Sequence, residues 1–101
     1  MSYLKPVKKS MRGSLESQLQ KIFEEFQEAQ VALRAYRASE NDGSTAREII
    51  DLKWNLVMEI LDIAAACITF VVMLGYSMFD VDALIAAHNK KDAQRGYYDE
   101  D

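Results

Sequence analysis

Histidine and cysteine each occur only once in this 101-residue chain, and each scarcity excludes a class of site. A di-iron site in a four-helix protein needs a histidine three residues after a glutamate, and His88 has no such partner. A lone cysteine cannot form an internal disulfide and fits a reducing compartment, so we predict a cytoplasmic protein. Cys67 lies in an apolar run, and we expect it to be a small core residue.

Positive charge is also in short supply. The chain has 12 Lys and Arg against 16 Asp and Glu, a net charge of −4. Without a basic surplus, nucleic acid is not expected as the main partner. Residues 1–12 carry four cations but no apolar h-region, so we do not expect a secretory signal.

One uncharged stretch raises the question of a membrane span. Residues 63–79 contain no charge. The length of this stretch is at the lower edge of what can cross a bilayer. Acidic residues border both ends, and no Lys or Arg flanks the stretch nearby. We therefore expect no membrane partner and interpret the stretch as a helix buried within an oligomer.

The apolar positions predict an all-α fold, and we find no strand alternation and no internal repeat. The first helix begins after Ser14 as N-cap and carries an α1 seam whose apolar residues alternate in steps of four and three. Its members are Leu15, Leu19, Ile22, Phe26, Ala29, Leu33 and Tyr36. Residues 39–44 end this helix, with Gly43 available for a positive φ.

Thr45 and Glu48 have the spacing of a capping box, which predicts the start of a second helix. That helix is apolar on two sides and so needs more than one neighbour, some from another subunit. Gly75 should end it, and a third helix is predicted over residues 80–94 with Asp80 as its cap. We predict an antiparallel helical hairpin extended to a four-helix-bundle-like core and completed in a homodimer or homotetramer. The predicted division is a flexible basic arm (1–13), an all-α domain (14–95) and an acidic tail (96–101).

Pairs of carboxylates three residues apart occur on both predicted helices. Glu25 and Glu28 on the first can face either Glu48 and Asp51 or Glu59 and Asp62 on the second. In an antiparallel pair, residues at equal height are equidistant from the turn. The midpoint with Glu59 and Asp62 falls between residues 43 and 44, inside the predicted loop, whereas the other midpoint falls at residue 38, too early. The pattern therefore selects Glu59 and Asp62.

Four converging carboxylates need a counter-charge, because unpaired acids on a buried helix are costly. Taken alone, Glu24, Glu25 and Glu28 also fit a solvated helix face. Glu59 and Asp62 lie between the two apolar stripes of the second helix, which favours a cation site. Ligands that are all oxygen suit Mg²⁺, or Mn²⁺, rather than Zn²⁺.

Glu24-Glu25-x-x-Glu28 followed by Glu59-x-x-Asp62 resembles the EExxE…ExxD signature of the MazG-like all-α NTP pyrophosphohydrolases, relatives of the all-α dUTPases and dCTP pyrophosphatases. The similarity extends to Leu74-Gly75 and to Lys91-Asp92-Ala93-Gln94-Arg95-Gly96, which looks like a closing Lys-Asn-x-x-Arg element. The gap between Glu28 and Glu59 is longer than the family's usual gap. Asp92 stands where Asn is common, which puts a phosphate or base contact in doubt.

The resemblance implies hydrolysis of a nucleoside triphosphate to the monophosphate and pyrophosphate, in a nucleotide-pool-cleaning role. It implies Glu25, Glu28, Glu59 and Asp62 as ligands of Mg²⁺. It also implies Glu24 and Glu25 as catalytic residues, with Glu24 orienting or deprotonating the attacking water. The substrate-binding candidates are Lys91, Arg95, Lys53 and Trp54. Alternative roles stay open for these residues. Glu24 can simply face solvent, and Trp54 can be a core residue. Lys91 and Arg95 can be cations that stabilise the C-terminal end of a helix dipole. The competing function is a non-catalytic helical interaction module.

Overall fold

The structure is a computed structural model that describes residues 4–97. A short 3₁₀ turn, Ser10–Arg12, precedes three helices: α1 (Leu15–Ser39), α2 (Ala46–Met73) and α3 (Met78–Gln94). No strand occurs in this part of the chain, so the predicted all-α class is confirmed. The first three residues of the predicted arm and most of the predicted acidic tail 96–101 lie outside the described residues.

Side-chain caps define the start of α1 and α2 where the sequence predicts them. Ser14 Oγ accepts a hydrogen bond from the Ser17 backbone N–H at 3.0 Å. Thr45 and Glu48 form the expected capping box, each side chain accepting the other's backbone N–H at 3.2 and 3.1 Å. These contacts satisfy N–H groups that have no partner inside the helix.

The start of α3 differs from the prediction. Ser77 is the N-cap, and Asp80 is the third helical residue, whose carboxylate accepts the Ser77 N–H at 2.8 Å. Both acids and hydroxyls make good caps, and here the serine precedes an acid at capping-box spacing. The prediction of Asp80 as the cap was therefore wrong. The preceding turn contains Gly75 at φ 103°, a conformation that L side chains rarely adopt.

The helices α1 and α2 pack along each other in opposite directions. Near the start of α1, the buried Gln18 amide donates to the Ala66 carbonyl late in α2 at 3.0 Å. At the middle of α1, Glu28 lines a cleft with Glu59, which lies earlier in α2 than Ala66. Gly43, with φ 80°, lies in the connection between the two helices.

The face of α1 that contacts α2 overlaps the predicted α1 seam only in part. Its buried residues are Gln18, Ala29, Ala32 and Ser39, and Leu19 and Phe26 of the seam remain 58% and 50% exposed. Ala29 belongs to the seam, whereas Gln18 and Ala32 lie one position before the seam residues Leu19 and Leu33. Small alanines permit a close approach of the helices, which leaves the larger apolar side chains outside this contact.

Much of α2 is uncovered in the single chain. Four large apolar residues at helical spacing are exposed, and we call them the α2 stripe: Ile50, Trp54, Val57 and Leu61. Cys67 is also exposed, so its prediction as a core residue was wrong for the single chain. The physical reason is that α1 covers one side of α2 and α3 makes only a small contact with it.

By length and composition, α2 is also long and apolar enough to span a bilayer. Core helices of soluble proteins pass the same test but are mostly buried, whereas 11% of the most apolar part of α2 is buried in the single chain. The helix also carries Glu59 and Asp62 on its length, and charged groups at membrane depth are costly.

Candidate metal site

Three carboxylates from the two long helices converge. One carboxylate oxygen from each of Glu25, Glu59 and Asp62 lies within 4.8 Å of the other two. Glu59 and Asp62 are neighbours on one face of α2 because they are three residues apart. Glu25 reaches them from α1, on the face that packs against α2. Glu25 and Glu59 are half-buried and Asp62 is exposed, so the group lies at the edge of the helix contact.

Glu28 borders this group one turn further along α1. The charge of Glu25 is the main cause that raises the pKa of the Glu28 carboxyl, with smaller contributions from burial and from the charge of Glu59. Like charges at short range favour the protonated form of one partner. We call these four residues, Glu25, Glu28, Glu59 and Asp62, the carboxylate cluster. Glu28 and Glu59 also line a cleft of about 320 Å³ between the helices.

One oxygen of the cluster has no partner. Glu59 Oε2 is buried from solvent and makes no hydrogen bond. Leaving a buried polar group unsatisfied costs about 1–3 kcal/mol, and more when the group is charged. A cation bound between Glu59 and its neighbours would satisfy this oxygen and neutralise the repulsion that acts on Glu28.

Lys21 provides part of the counter-charge. Its Nζ lies 3.1 Å from Glu25 Oε1, one helical turn along α1. The hydrogen bond and charge of Glu25 raise the pKa of the Lys21 ammonium, so this group stays protonated. One ammonium group balances one of the four carboxylates and leaves the cluster strongly negative.

The competing carboxylates on α2 have other partners. Glu48 closes the capping box with Thr45, and these hydrogen bonds lower the pKa of its carboxyl. Asp51 Oδ1 lies 3.3 Å from Arg47 Nε in an exposed pair. Both residues are thus engaged near the start of α2, while Glu59 and Asp62 lie beside Glu25.

None of the remaining predicted residues lines either of the two clefts that border the carboxylate cluster. Glu24 is exposed on α1, where its charge contributes to the raised pKa of Lys21. Lys53 and Trp54 are exposed on α2, and the Trp54 side chain is 65% accessible. Lys91 is exposed in the last turn of α3 and Arg95 is its C-cap. Neither cation lines the two clefts beside the carboxylate cluster.

The structure also places residues beside the cluster that the sequence reasoning missed. A second cleft, of about 260 Å³, contains Glu25 and Asp62 together with Lys21, Gln18 and Val7. We call it the acidic cleft. Lys21 could have been found from its spacing, because a lysine four residues before a glutamate commonly forms a helical ion pair. Val7 carries no comparable signal, since its position depends on how the arm folds back.

Comparison of the chain with protein-family models, with curated proteins and with solved structures finds no match in any of the three.

Proposed function

We propose that this protein is a metal-dependent nucleoside triphosphate pyrophosphohydrolase, which releases a nucleoside monophosphate and pyrophosphate. The observation that carries the proposal is the convergence of Glu25, Glu59 and Asp62 around a buried, unpartnered Glu59 oxygen. The resemblance of the EExxE…ExxD spacing to the MazG-like family supports the reaction class. Three of the five acids in that spacing, Glu25, Glu59 and Asp62, have carboxylate oxygens within 4.8 Å of one another.

The proposed cofactor is Mg²⁺, with Mn²⁺ as an alternative. Both are hard cations that prefer oxygen ligands, and the cluster offers only carboxylate oxygens. Glu25, Glu59 and Asp62 are the proposed ligands by distance, and Glu28 completes the set from the next turn of α1. When bound, such an ion neutralises phosphate charge and lowers the pKa of a coordinated water.

The chain's own residues have distinct proposed roles. Glu24, exposed beside the cluster on α1, orients the attacking water or accepts its proton. Lys91 and Arg95 hold the leaving pyrophosphate, and a charge-assisted Arg–phosphate contact would add specificity as well as affinity. Lys53 contacts phosphate, and the exposed indole of Trp54 offers a surface on which a base can stack.

The proposed assembly is a homodimer or homotetramer in the cytoplasm, without a nucleic-acid or membrane partner. Two hairpins of α1 and α2 would form a four-helix-bundle-like core by covering the α2 stripe. This arrangement also gives Lys91 and Arg95 a route to the site, from the α3 of a neighbouring subunit.

The test is a nucleotide panel assayed for pyrophosphate release with Mg²⁺, with Mn²⁺ and with EDTA. The panel contains the canonical nucleoside and deoxynucleoside triphosphates and several damaged ones. We expect release from at least one nucleotide, and complete loss of that release in EDTA. No metal-dependent release from any nucleotide would contradict the proposal.

A helical interaction module is the second candidate. It is favoured by the apolar side chains that α1 leaves exposed, among them Leu19, Phe23 and Phe26. On this interpretation a helix of another protein covers the α1 seam, and the carboxylates are incidental. Pyrophosphate release in the nucleotide panel separates the two functions, because only the enzyme releases pyrophosphate. That release should depend on Glu59 and Asp62.

A further inference from the structure

The basic arm is held against the helix pair at a defined point. The Val7 backbone N–H donates to Thr69 Oγ1 at 2.9 Å, and the Thr69 hydroxyl donates to the Ala65 carbonyl at 2.8 Å. Thr69 is completely buried, and its hydrogen bond with Val7 is partly buried. The Met11 N–H bonds back to the Val7 carbonyl at 3.2 Å, which turns the chain toward the start of α1.

This position puts the arm between two adjoining clefts. The acidic cleft contains Glu25 and Asp62. The next cleft, of about 500 Å³, is lined by Val7, Lys9, Gly13, Ser17, Gln18 and Lys21, and we call it the lysine cleft. Val7, Gln18 and Lys21 line both clefts. A ligand can therefore contact the carboxylate cluster and the lysine cleft at the same time.

The two clefts have opposite charge character. Two ammonium groups line the lysine cleft, and no carboxylate is among its lining residues. Lys21 lies at the boundary, where it pairs with Glu25. A metal ion that binds the Glu25 carboxylate would replace Lys21 as its partner. The Lys21 ammonium would then be available to bind an anion. Binding of metal and binding of anion should therefore favour each other.

We propose that Lys9 of the arm and Lys21 of α1 form a polyphosphate subsite beside the carboxylate cluster of the same chain. The proposal rests on the proposed function for the identity of the anion, the polyphosphate end of a nucleotide. The phosphates would lie in the lysine cleft while the metal ion occupies the acidic one. The arm is thereby a part of the substrate site, and its hydrogen bond to Thr69 fixes the position of Lys9.

The test measures binding of inorganic tripolyphosphate by calorimetry, with and without Mn²⁺, using the full chain. We expect Lys9→Ala and Lys21→Ala each to weaken binding about tenfold, because each loses a charged hydrogen bond. Lys8→Ala is the matched control, since Lys8 is an exposed neighbour on the same arm that does not line the cleft. Unchanged affinity in Lys9→Ala, an equal loss in Lys8→Ala, or no binding to the wild type would overturn the subsite.

A second pair of variants tests the role of the arm without changing any charge. Thr69→Val removes the acceptor for the Val7 N–H and should weaken tripolyphosphate binding, whereas Thr69→Ser keeps the hydroxyl and should restore it. If Thr69→Val does not fold, the Lys9→Ala result alone decides.

These measurements do not depend on turnover. Lys9-dependent binding without hydrolysis of any nucleotide would support the subsite and contradict the proposed enzyme. Hydrolysis that is unaffected by Lys9→Ala, with unchanged tripolyphosphate affinity, would support the enzyme and contradict the subsite.

Discussion

The unpartnered Glu59 oxygen gives the sharpest test of the metal site. Replacing Glu59 by Gln keeps the shape of the side chain and removes its charge. We expect metal affinity and pyrophosphate release to fall by roughly a hundredfold or more, since even partners of metal ligands are worth about 10–100-fold. Asp62→Asn should behave in the same way. Calorimetry with Mn²⁺ and the pyrophosphate assay measure the two effects.

Stability provides an independent readout for the same substitution. In EDTA, Glu59→Gln should melt at or above the temperature of the wild type, because it removes a negative charge that lies beside the carboxylates of Glu25 and Asp62 and whose Oε2 makes no hydrogen bond. Asp51→Asn is the matched control on α2: its carboxylate pairs with Arg47 in an exposed position and should matter for neither metal nor activity. Wild-type metal affinity in Glu59→Gln would refute the assignment.

Glu28 should make metal binding depend on pH. Its pKa is raised above the ordinary glutamate value, chiefly by the charge of Glu25. Protons therefore compete with the metal ion at a higher pH than for an isolated glutamate. Mn²⁺ affinity should fall as pH decreases through this raised pKa, by up to about tenfold per pH unit for each proton displaced. Titrations at a series of pH values measure the effect.

Without metal, the stability of the folded chain should depend on pH in the opposite direction from Mn²⁺ affinity. A raised carboxyl pKa means that the folded state binds the proton more tightly than the unfolded chain does. Unfolding free energy in EDTA should therefore decrease as pH rises through the raised pKa of Glu28. Glu28→Gln should remove this dependence and shift the loss of Mn²⁺ affinity to lower pH. An identical pH profile in Glu28→Gln would exclude Glu28 as its source.

At the level of single residues, spacing relative to the turn could predict which carboxylates are near one another. Glu25, Glu59 and Asp62 meet because helix periodicity and the position of the loop determine both their faces and their heights. The contribution of Lys9 and Val7 could not be predicted in this way. Their positions depend on a contact between residues 62 apart in sequence, which no local pattern specifies.

At the level of the helices, the capping box of α2 gives a prediction about stability alone. Thr45→Ala removes the acceptor for the Glu48 N–H at the start of α2. We expect a loss of about 1 kcal/mol in the free energy of unfolding, the usual value of an N-cap. Denaturant unfolding measures it, and Thr45→Ser serves as the control that retains the cap. Mn²⁺ affinity should be unchanged, because the cap lies about four helical turns from Glu59.

The helix ends could be predicted better than the helix faces. Ser14, Thr45 and Gly43 act through local backbone chemistry, which the sequence displays directly. The contact face of α1 overlaps the predicted α1 seam only in part, because this helix has apolar residues on adjacent faces. Periodicity alone then cannot choose between the α1 seam, which contains Leu33, and the adjacent face, which contains Ala32; Ala29 belongs to both. Close helix packing through alanines decided the choice.

Across the described residues as a whole, the single chain buries few large apolar side chains. Among the described residues, the buried apolar side chains are three alanines and Val81. Large apolar residues on both long helices are exposed instead, including Ile50 at 61%. Exposed apolar surface of this extent is typical of an interface between subunits. Since both long helices contribute to it, two copies can cover it mutually.

We therefore expect light scattering at micromolar concentration to give at least twice the 11.5 kDa mass of one chain. Ile50→Glu places a charge in the α2 stripe, where the single chain leaves the side chain largely accessible. It should leave the helix content of the chain intact but lower the mass toward that of a monomer, because burying an unpaired charge in an interface is costly. Gln94→Glu adds the same charge at the end of α3 and serves as the control. A wild-type monomer would contradict the proposed assembly and, with it, any phosphate contact from a neighbouring subunit's Arg95. The carboxylate cluster would be unaffected by that result, since all four of its residues belong to one chain.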